Sequence, residues 1–292
     1  MALGVLKQVR QAIEQLNPAE VREEADRRVE IRLLATSLEG FVEMEDFLAP
    51  RTVSPDRRTW MLDAIIRSDE TGGDQPRDID IYEEGLKRPR EAFVFKPDKP
   101  QRMVTDILDS RPELSLALAR TFLPFHKPVV DRIVFQVSKE NAMFSIATAL
   151  PDIAPGISLP WAIPEALSDT AVLSVNQVRM AFLLAAASNR SVGYSNQKTE
   201  IAGIIAGAFG WRALARELVG KIPLGGGIIP KAGIAFAATY AEGKSLERLY
   251  RVGYGFTEGE RKHAYQDALE QGKQVAVNLY ERMKGKDGGK GG

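Results

Sequence analysis

Two short segments of this sequence contain residue types that could bind a phosphate group. Ala238 to Ser245 reads ATYAEGKS, one residue from the GxxxxGK[ST] signature, with alanine at the first glycine position. The segment falls inside a predicted helix, whereas a phosphate-binding loop joins a strand to a helix, so we interpret the match as chance. Gly225 to Gly227 could form an anion nest, but three glycines between two predicted helices favour a flexible turn.

A further phosphate-loop position lies where a strand predicted at Val29 to Thr36 meets the following helix. Thr36 to Phe41 reads TSLEGF, which lacks the signature whose backbone amides and lysine hold phosphate groups. The sequence therefore predicts no orthodox nucleotide site, no catalytic residue and no enzyme activity. A nucleotide hydrolase with an unorthodox site is the least favoured interpretation.

Metal and thiol chemistry have few candidate residues. The chain has no cysteine and two histidines, His126 and His263, neither with an acid cluster at ligand spacing. We therefore predict no metal and no cofactor. Asp152 and Lys231 stand in apolar segments, where an ionised group is costly without a partner. They are candidates for a buried ion pair, and the alternative is that both face water.

Charge is distributed unevenly along the chain. Lys plus Arg and Asp plus Glu number 39 each, so no global field attracts nucleic acid or acidic lipid. Residues 142–241 hold only 12 of these charges in 100 residues, and the other 192 residues hold 66. This contrast predicts a middle segment that avoids water between well-solvated flanking parts.

The first hundred residues predict a small α/β unit. Apolar spacing, capping residues and β-branched runs predict helices over 6–16, 18–28, 38–48 and 54–67 and strands over 29–36, 79–82 and 92–95. The remainder predicts a helical bundle, with breaks at Pro112, Pro124 and Pro128 and helices over 129–150, 174–188, 195–219, 230–254 and 257–283. Capping boxes are predicted at Ser174 with Gln177 and at Thr257 with Glu260.

Small residues suggest close helix packing in the charge-poor segment. Gly203 and Gly207 form a GxxxG pattern, and Ala235 and Ala238 continue a small-residue stripe. Such stripes let helices approach closely in lipid, but the core of a soluble bundle uses small residues in the same way. No charge-free stretch reaches the roughly 20 apolar residues that a spanning helix needs. Hydropathy alone leaves a membrane seat and a soluble core equally favoured.

Several short motifs between Phe122 and about Val275 occur in an order and spacing that resemble a known family. They are Pro124–Val130 (PFHKPVV), Lys139–Phe144 (KENAMF), Ala149–Pro151 (ALP), Ser174–Met180 (SVNQVRM), Ala208–Arg212 (AFGWR), Ala215–Glu217 (ARE), Ile222–Pro223 and Lys231–Ala235 (KAGIA). Together they cover about half of the chain and resemble the YcjF-like family of bacterial proteins.

The resemblance implies a membrane-associated protein linked to a GTPase, without implying an active site. In GTPase-linked relatives a phosphate loop follows a strand such as Val29 to Thr36, so residues 1–100 are either a degenerate GTPase remnant or an unrelated small domain. With the resemblance, a membrane seat becomes the favoured interpretation.

These observations combine into one expectation. The chain is mainly α, with a small α/β unit over 1–100, a helical YcjF-like domain over 101–284 and a disordered tail over 285–292. We expect a membrane-associated module, on the cytoplasmic side, that acts through a protein partner such as a GTPase or another copy of itself. The alternative is a soluble, cytoplasmic helical scaffold.

Overall fold

The computed structural model describes residues 2–68, 77–90, 92–149, 169–207 and 227–287. The chain is mainly α with one small parallel sheet, as the sequence predicts. It divides into two compact units. The sheet unit contains Glu20–Asp131 and Ala186–Ser191, and the helical unit contains Met1–Ala19, Arg132–Ala185 and Val192–Gly292. The domain boundaries at residues 100 and 284 stay a prediction.

The described helices follow one another along most of the chain. In order they are α1 (Ala2–Ile13), α2 (Pro18–Asp26), α3 (Leu38–Leu48), α4 (Pro55–Leu62), α5 (Pro100–Ser110), α6 (Ser115–Thr121), α7 (Leu123–Ala147), α8 (Asp169–Ala187), α9 (residues 198–207), α10 (Ile228–Val252) and α11 (Glu258–Asp287). A 3-10 turn, Pro112–Leu114, precedes α6. Residues 285–287 of the predicted disordered tail continue α11, and residues 288–292 lie outside the described part.

Four parallel strands form the centre of the sheet unit. They are β1 (Ile31–Leu34), β2 (Ile65–Ser68), β3 (Ile79–Glu83) and β4 (Phe93–Phe95), in the order β2-β1-β3-β4. In the register, Ile31 lies opposite both Ile65 and Ile79. β1 is almost completely buried because helices cover a parallel sheet on its faces. Helix α3 packs against β1 and α5 packs against β4.

One strand of this sheet was predicted as helix. The pattern that begins at Pro55 predicts a helix to residue 67, but α4 ends at Leu62 and Ile65–Ser68 is β2. The prediction is wrong because Ile65 and Ile66 are β-branched residues that pair with β1 across the sheet. Tertiary pairing therefore overrides the helical spacing that continues from α4.

Two predicted helix boundaries in the bundle are also wrong. Pro128 does not break α7, because buried neighbours such as Phe125 hold the helix around it. The break predicted at Pro124 is confirmed, since α6 ends at Thr121 and α7 begins at Leu123 with Pro124 in its first turn. Ser174 does not cap α8, which begins five residues earlier at Asp169. Inside that helix the Ser174 hydroxyl donates to the Thr170 carbonyl oxygen (2.8 Å), a bond that an interior serine commonly makes.

The last two helices, α10 and α11, pack closely together. The predicted capping box at the start of α11 is confirmed, because the Thr257 N–H donates to Glu260 (2.9 Å) and the Glu260 N–H donates to Thr257 Oγ1 (3.3 Å). Between the helices, a methyl group added to Gly272 would lie 2.7 Å from the Gly233 carbonyl oxygen. Glycine at this position therefore sets how near the two backbones can come.

Replacing Gly272 with alanine tests this approach, and Gly259→Ala in the same helix is the matched control. Gly272→Ala should lower the free energy of unfolding by about 1 to 3 kcal/mol, because the added methyl overpacks the contact with α10. A methyl on Gly259 would meet no atom within 4 Å, so Gly259→Ala should leave stability unchanged or raise it by up to about 1 kcal/mol. Urea unfolding measures both. Equal effects of the two substitutions would contradict the close approach.

Candidate functional site

The carboxyl edge of the sheet is where an α/β unit of this topology binds ligands. From β1 the chain passes to β2 on one side and then to β3 on the other side of β1. In doubly wound sheets, ligands bind outside the carboxyl ends of the strands at such a switch point. Here the switch point lies between the ends of β1 and β3, where Thr36 and Glu83 meet.

The side chain of Glu83 lies at this switch point. Its Oε2 accepts hydrogen bonds from the Thr36 backbone N–H (2.9 Å) and from the Thr36 hydroxyl (3.0 Å). The next residue, Ser37, is the N-cap of α3, and its hydroxyl oxygen accepts the Gly40 N–H (3.0 Å). The positive end of the α3 dipole favours a negative group here, so the Glu83 carboxylate is held by a nearby helix N-terminus and two hydrogen bonds.

Gly40 makes room for this carboxylate. An ideal Cβ on Gly40 would lie 2.4 Å from Glu83 Oε1 and 2.8 Å from its Cδ, so a side chain here would force the carboxylate to move away from Thr36. Glycine inside a helix costs roughly 0.5 to 1 kcal/mol relative to alanine. Gly40, the third residue of α3, therefore accommodates the carboxylate but lowers the intrinsic stability of the helix.

This arrangement holds an acid where related topologies hold a phosphate. In a phosphate-binding loop, the backbone amides at the start of the helix after the first strand bind the anion. In this chain the corresponding Thr36 amide binds Glu83, and the loop has no lysine between Thr36 and Phe41. The geometry stabilises an internal carboxylate and leaves the Thr36 amide and hydroxyl occupied.

The predicted small-residue stripe is divided between exposed and buried positions. Gly203 is exposed, and a Cβ there would meet no atom within 4 Å. Gly207 is half-buried, at the end of the described part of α9. Ala235 and Ala238 are buried, and Ala238 belongs to a cluster with Tyr265 of α11. A packing role for Gly203 and Gly207 stays a prediction, because residues 208–226 lie outside the described part.

The close approaches that the structure describes involve other glycines. Gly233 and Gly272 face each other between α10 and α11. A methyl on Gly243 would lie 2.8 Å from a Val134 methyl and 2.9 Å from the Met180 sulfur. The spacing of Gly233, Ala237 and Ala241 along α10 could have indicated this face, because residues four apart share one side of a helix.

The predicted buried ion pair of Asp152 and Lys231 is not part of the described core. Lys231 is exposed, and Asp152 lies outside the described residues. An ion pair that was not predicted joins Glu140 of α7, which is 5% exposed, to Arg179 of α8. The Gln136 amide donates a further hydrogen bond to Glu140 (3.2 Å). Because Glu140 is buried and Arg179 partly buried, removing Arg179 would leave an uncompensated charge between α7 and α8.

A second buried acid lies between α10 and α11. Glu242 is 7% exposed, and its Oε2 lies 3.5 Å from the Arg261 guanidinium. Burial raises the pKa of Glu242, and the charge of Arg261 opposes that rise. The sequence signal for this residue was its place in an alanine-rich stretch of α10, AATYAEG.

A buried polar layer crosses the helical unit. Asn141 of α7 donates to Thr239 of α10 (2.7 Å) and accepts from Asn176 of α8 (2.7 Å), while Gln177 donates to Thr239 (3.4 Å). These side chains are at most 7% exposed. Removing one member would leave its partners unsatisfied, at about 1 to 3 kcal/mol each. The layer fixes how α7, α8 and α10 align, and amide and hydroxyl groups supply no acid or base.

One described helix is long and apolar enough to cross a membrane. It is Thr170–Ala187 of α8, with a mean hydropathy of 1.4. Within that window 83% of the residues are buried inside the protein, which is also typical of a core helix in a soluble protein. Among the described residues, no group of three or more His, Cys, Asp or Glu side chains could hold a metal ion.

Comparison of the chain with family models, with curated proteins and with solved structures found no match.

A double-mutant cycle tests the contact between Gly40 and Glu83. Gly40→Ala should lower the free energy of unfolding by about 1 to 3 kcal/mol, because the new methyl displaces the carboxylate. In a Glu83→Ala background the same substitution should be neutral or stabilising by up to about 1 kcal/mol, since the obstacle is gone and alanine favours the helix. Urea unfolding of the four proteins gives the coupling. The same penalty for Gly40→Ala in both backgrounds would show that the carboxylate is elsewhere.

Proposed function

We propose that this protein is a membrane-associated helical module that acts through protein partners and carries out no nucleotide chemistry of its own. The observation that carries the second half of this proposal is the Glu83 carboxylate at the switch point. A phosphate placed there would lie against a negative charge and would have to displace it from Thr36. A sheet unit with this edge occupied contributes surface and stability rather than catalysis.

A GTPase is the proposed class of partner. The support is the resemblance of the motifs between Phe122 and Val275 to a family linked to GTPases. The order β2-β1-β3-β4 is shared with doubly wound domains that bind phosphate-bearing cofactors at their switch points. On this proposal the sheet unit is a remnant of a GTPase domain that has lost its phosphate loop and pairs with an intact one.

The membrane seat rests on the charge-poor segment. Residues 142–241 carry 12 charges in 100 residues, and α8 within them is apolar over a length sufficient to span a bilayer. A soluble helical scaffold is the second candidate, favoured by the burial of α8 within the helical unit. A nucleotide hydrolase remains the least supported, because no phosphate loop follows β1.

Membrane fractionation with successive washes separates the first two candidates. We expect the full-length chain in the membrane pellet after both high salt and alkaline carbonate, because apolar burial in lipid survives both treatments. Detergent should then release it. A soluble cytosolic protein and a known integral protein, followed in the same fractions, are the controls. Recovery of the whole chain in the cytosolic fraction would contradict the membrane seat and favour the soluble scaffold.

A further inference from the structure

A large open cleft lies at the amino edge of the sheet, opposite the edge that holds Glu83. Its volume is about 1040 Å³. The walls come from the end of α2 and the residues before β1, from α4 and the residues before β2, and from the end of α6 with Asn189. Because the strands are parallel, their amino ends share this edge, so the amino-edge cleft is separate from the switch point.

Arg57 is the residue of this cleft with the least compensated charge. Its guanidinium donates to the Arg120 carbonyl oxygen (2.6 Å) and lies over the Trp60 ring, 4.8 Å from the ring centroid. No carboxylate among the described residues forms an ion pair with it. Burial and the positive charge of Arg120 both lower the pKa of Arg57. A partly buried cation beside a second cation favours the arrival of an anion.

The other arginines of the cleft are already paired. Arg120 binds Asp26 (3.0 Å), Arg27 binds Asp78 (3.2 Å) and Arg28 lies 3.7 Å from Glu30. Guanidinium groups bind carboxylates in a planar, bidentate manner, and Arg57 donates to the Arg120 carbonyl oxygen through Nη2. An external carboxylate would therefore gain more binding free energy at Arg57 than at the other arginines of the cleft.

Trp60 provides an apolar surface directly beside this cation. Its side chain is 44% exposed although it is a large aromatic residue. Tryptophan and arginine are the residue types most enriched among the hot spots of protein interfaces. Their adjacency in an open cleft is typical of a surface that binds another protein segment.

Aspartates in the cleft restrict which anionic ligands it can bind. Asp56 and Asp63 are exposed on its wall, and Asp26 is the partner of Arg120. Four arginines and three aspartates leave a formal charge of only +1. These carboxylates would repel a polyanion such as nucleic acid or an anionic membrane. A ligand with one carboxylate beside an apolar side chain would avoid this repulsion.

From these observations we propose that the amino-edge cleft docks an acidic segment of the protein partner, with a carboxylate on Arg57 and an apolar side chain on Trp60. This inference rests on the proposed function, because it assigns the surface that meets the partner.

Fluorine NMR of the full chain labelled with 5-fluorotryptophan tests this docking at Trp60, whose resonance is assigned with Trp60→Phe. The probes are a soluble Gly/Ser peptide with blocked termini and Leu-Glu at its centre, and the same peptide with Leu-Gln. We expect saturable movement of the Trp60 resonance with the acidic peptide and binding about tenfold weaker with the amide peptide. Equal binding of the two peptides, or no movement with either, would overturn the proposal.

Substitutions of Arg57 test whether the carboxylate of the peptide binds this residue. Arg57→Gln should weaken the acidic peptide about tenfold, and Arg57→Lys should weaken it less, because lysine keeps the charge but loses the planar fork. Arg102→Gln, an exposed arginine of α5 at 77% exposure, is the matched control and should bind as the unmodified chain does. Thermal unfolding confirms that each variant is folded. Unchanged binding by folded Arg57→Gln and Arg57→Lys would overturn the proposal.

Other anions are competing outcomes of the same experiment. Movement of Trp60 by inorganic phosphate, or by vesicles of phosphatidylserine and phosphatidylcholine, without movement by the acidic peptide would overturn the docking of a protein segment. Fractionation of the same full-length chain keeps the two proposals apart. Lost peptide binding with retained membrane sedimentation rejects the cleft proposal alone, and lost sedimentation with retained peptide binding rejects the membrane seat alone.

Discussion

The carboxylate of Glu83 joins the elements that define the sheet unit. Glu83 ends β3, and its carboxylate binds Thr36, the second residue after β1, and lies over the first turn of α3, which Ser37 caps. A central strand, its neighbour and the helix between β1 and β2 are thus tied at one edge by a single acid. Gly40 leaves the space that this acid needs. The edge at which a doubly wound sheet binds its ligand is stabilised here by a residue of the chain.

In the helical unit, buried polar side chains form hydrogen bonds and ion pairs with one another. A polar group that enters the interior of this unit loses its contact with water, so it requires a partner inside the protein. Asn141 bonds across three helices, Glu140 pairs with Arg179, and Thr239 also donates to the Ala235 carbonyl oxygen (2.9 Å). Gly243 lets α10 approach α7 and α8 closely, because a methyl group there would lie within 3 Å of Val134 and Met180. Such a unit aligns its helices through specific bonds and not through apolar contact alone.

The sequence predicts the general architecture because local signals and tertiary structure mostly agree. β-branched runs predict β1 and β3, and the Thr257 capping box marks the start of α11. Local signals fail at β2, where pairing with β1 outweighs the helical pattern, and at Ser174, which lies within a longer helix. The partner of Thr36 could not be predicted, because Glu83 is 47 residues away and only the strand order brings the two together. The hydrogen bond from Arg57 to the Arg120 carbonyl oxygen likewise joins residues that are 63 positions apart in the sequence.

Calorimetric titration of the full chain with GTP and Mg²⁺ tests the central claim most directly, with Glu83→Gln titrated in parallel. If Glu83 occupies the position of a phosphate, the unmodified chain should give no saturable heat of binding. The amide variant lacks the repelling charge but still has no lysine in its loop, so it should also give no tight binding. Saturable binding of GTP by the unmodified chain, lost on Thr36→Ala, would place a nucleotide at this edge and contradict the account.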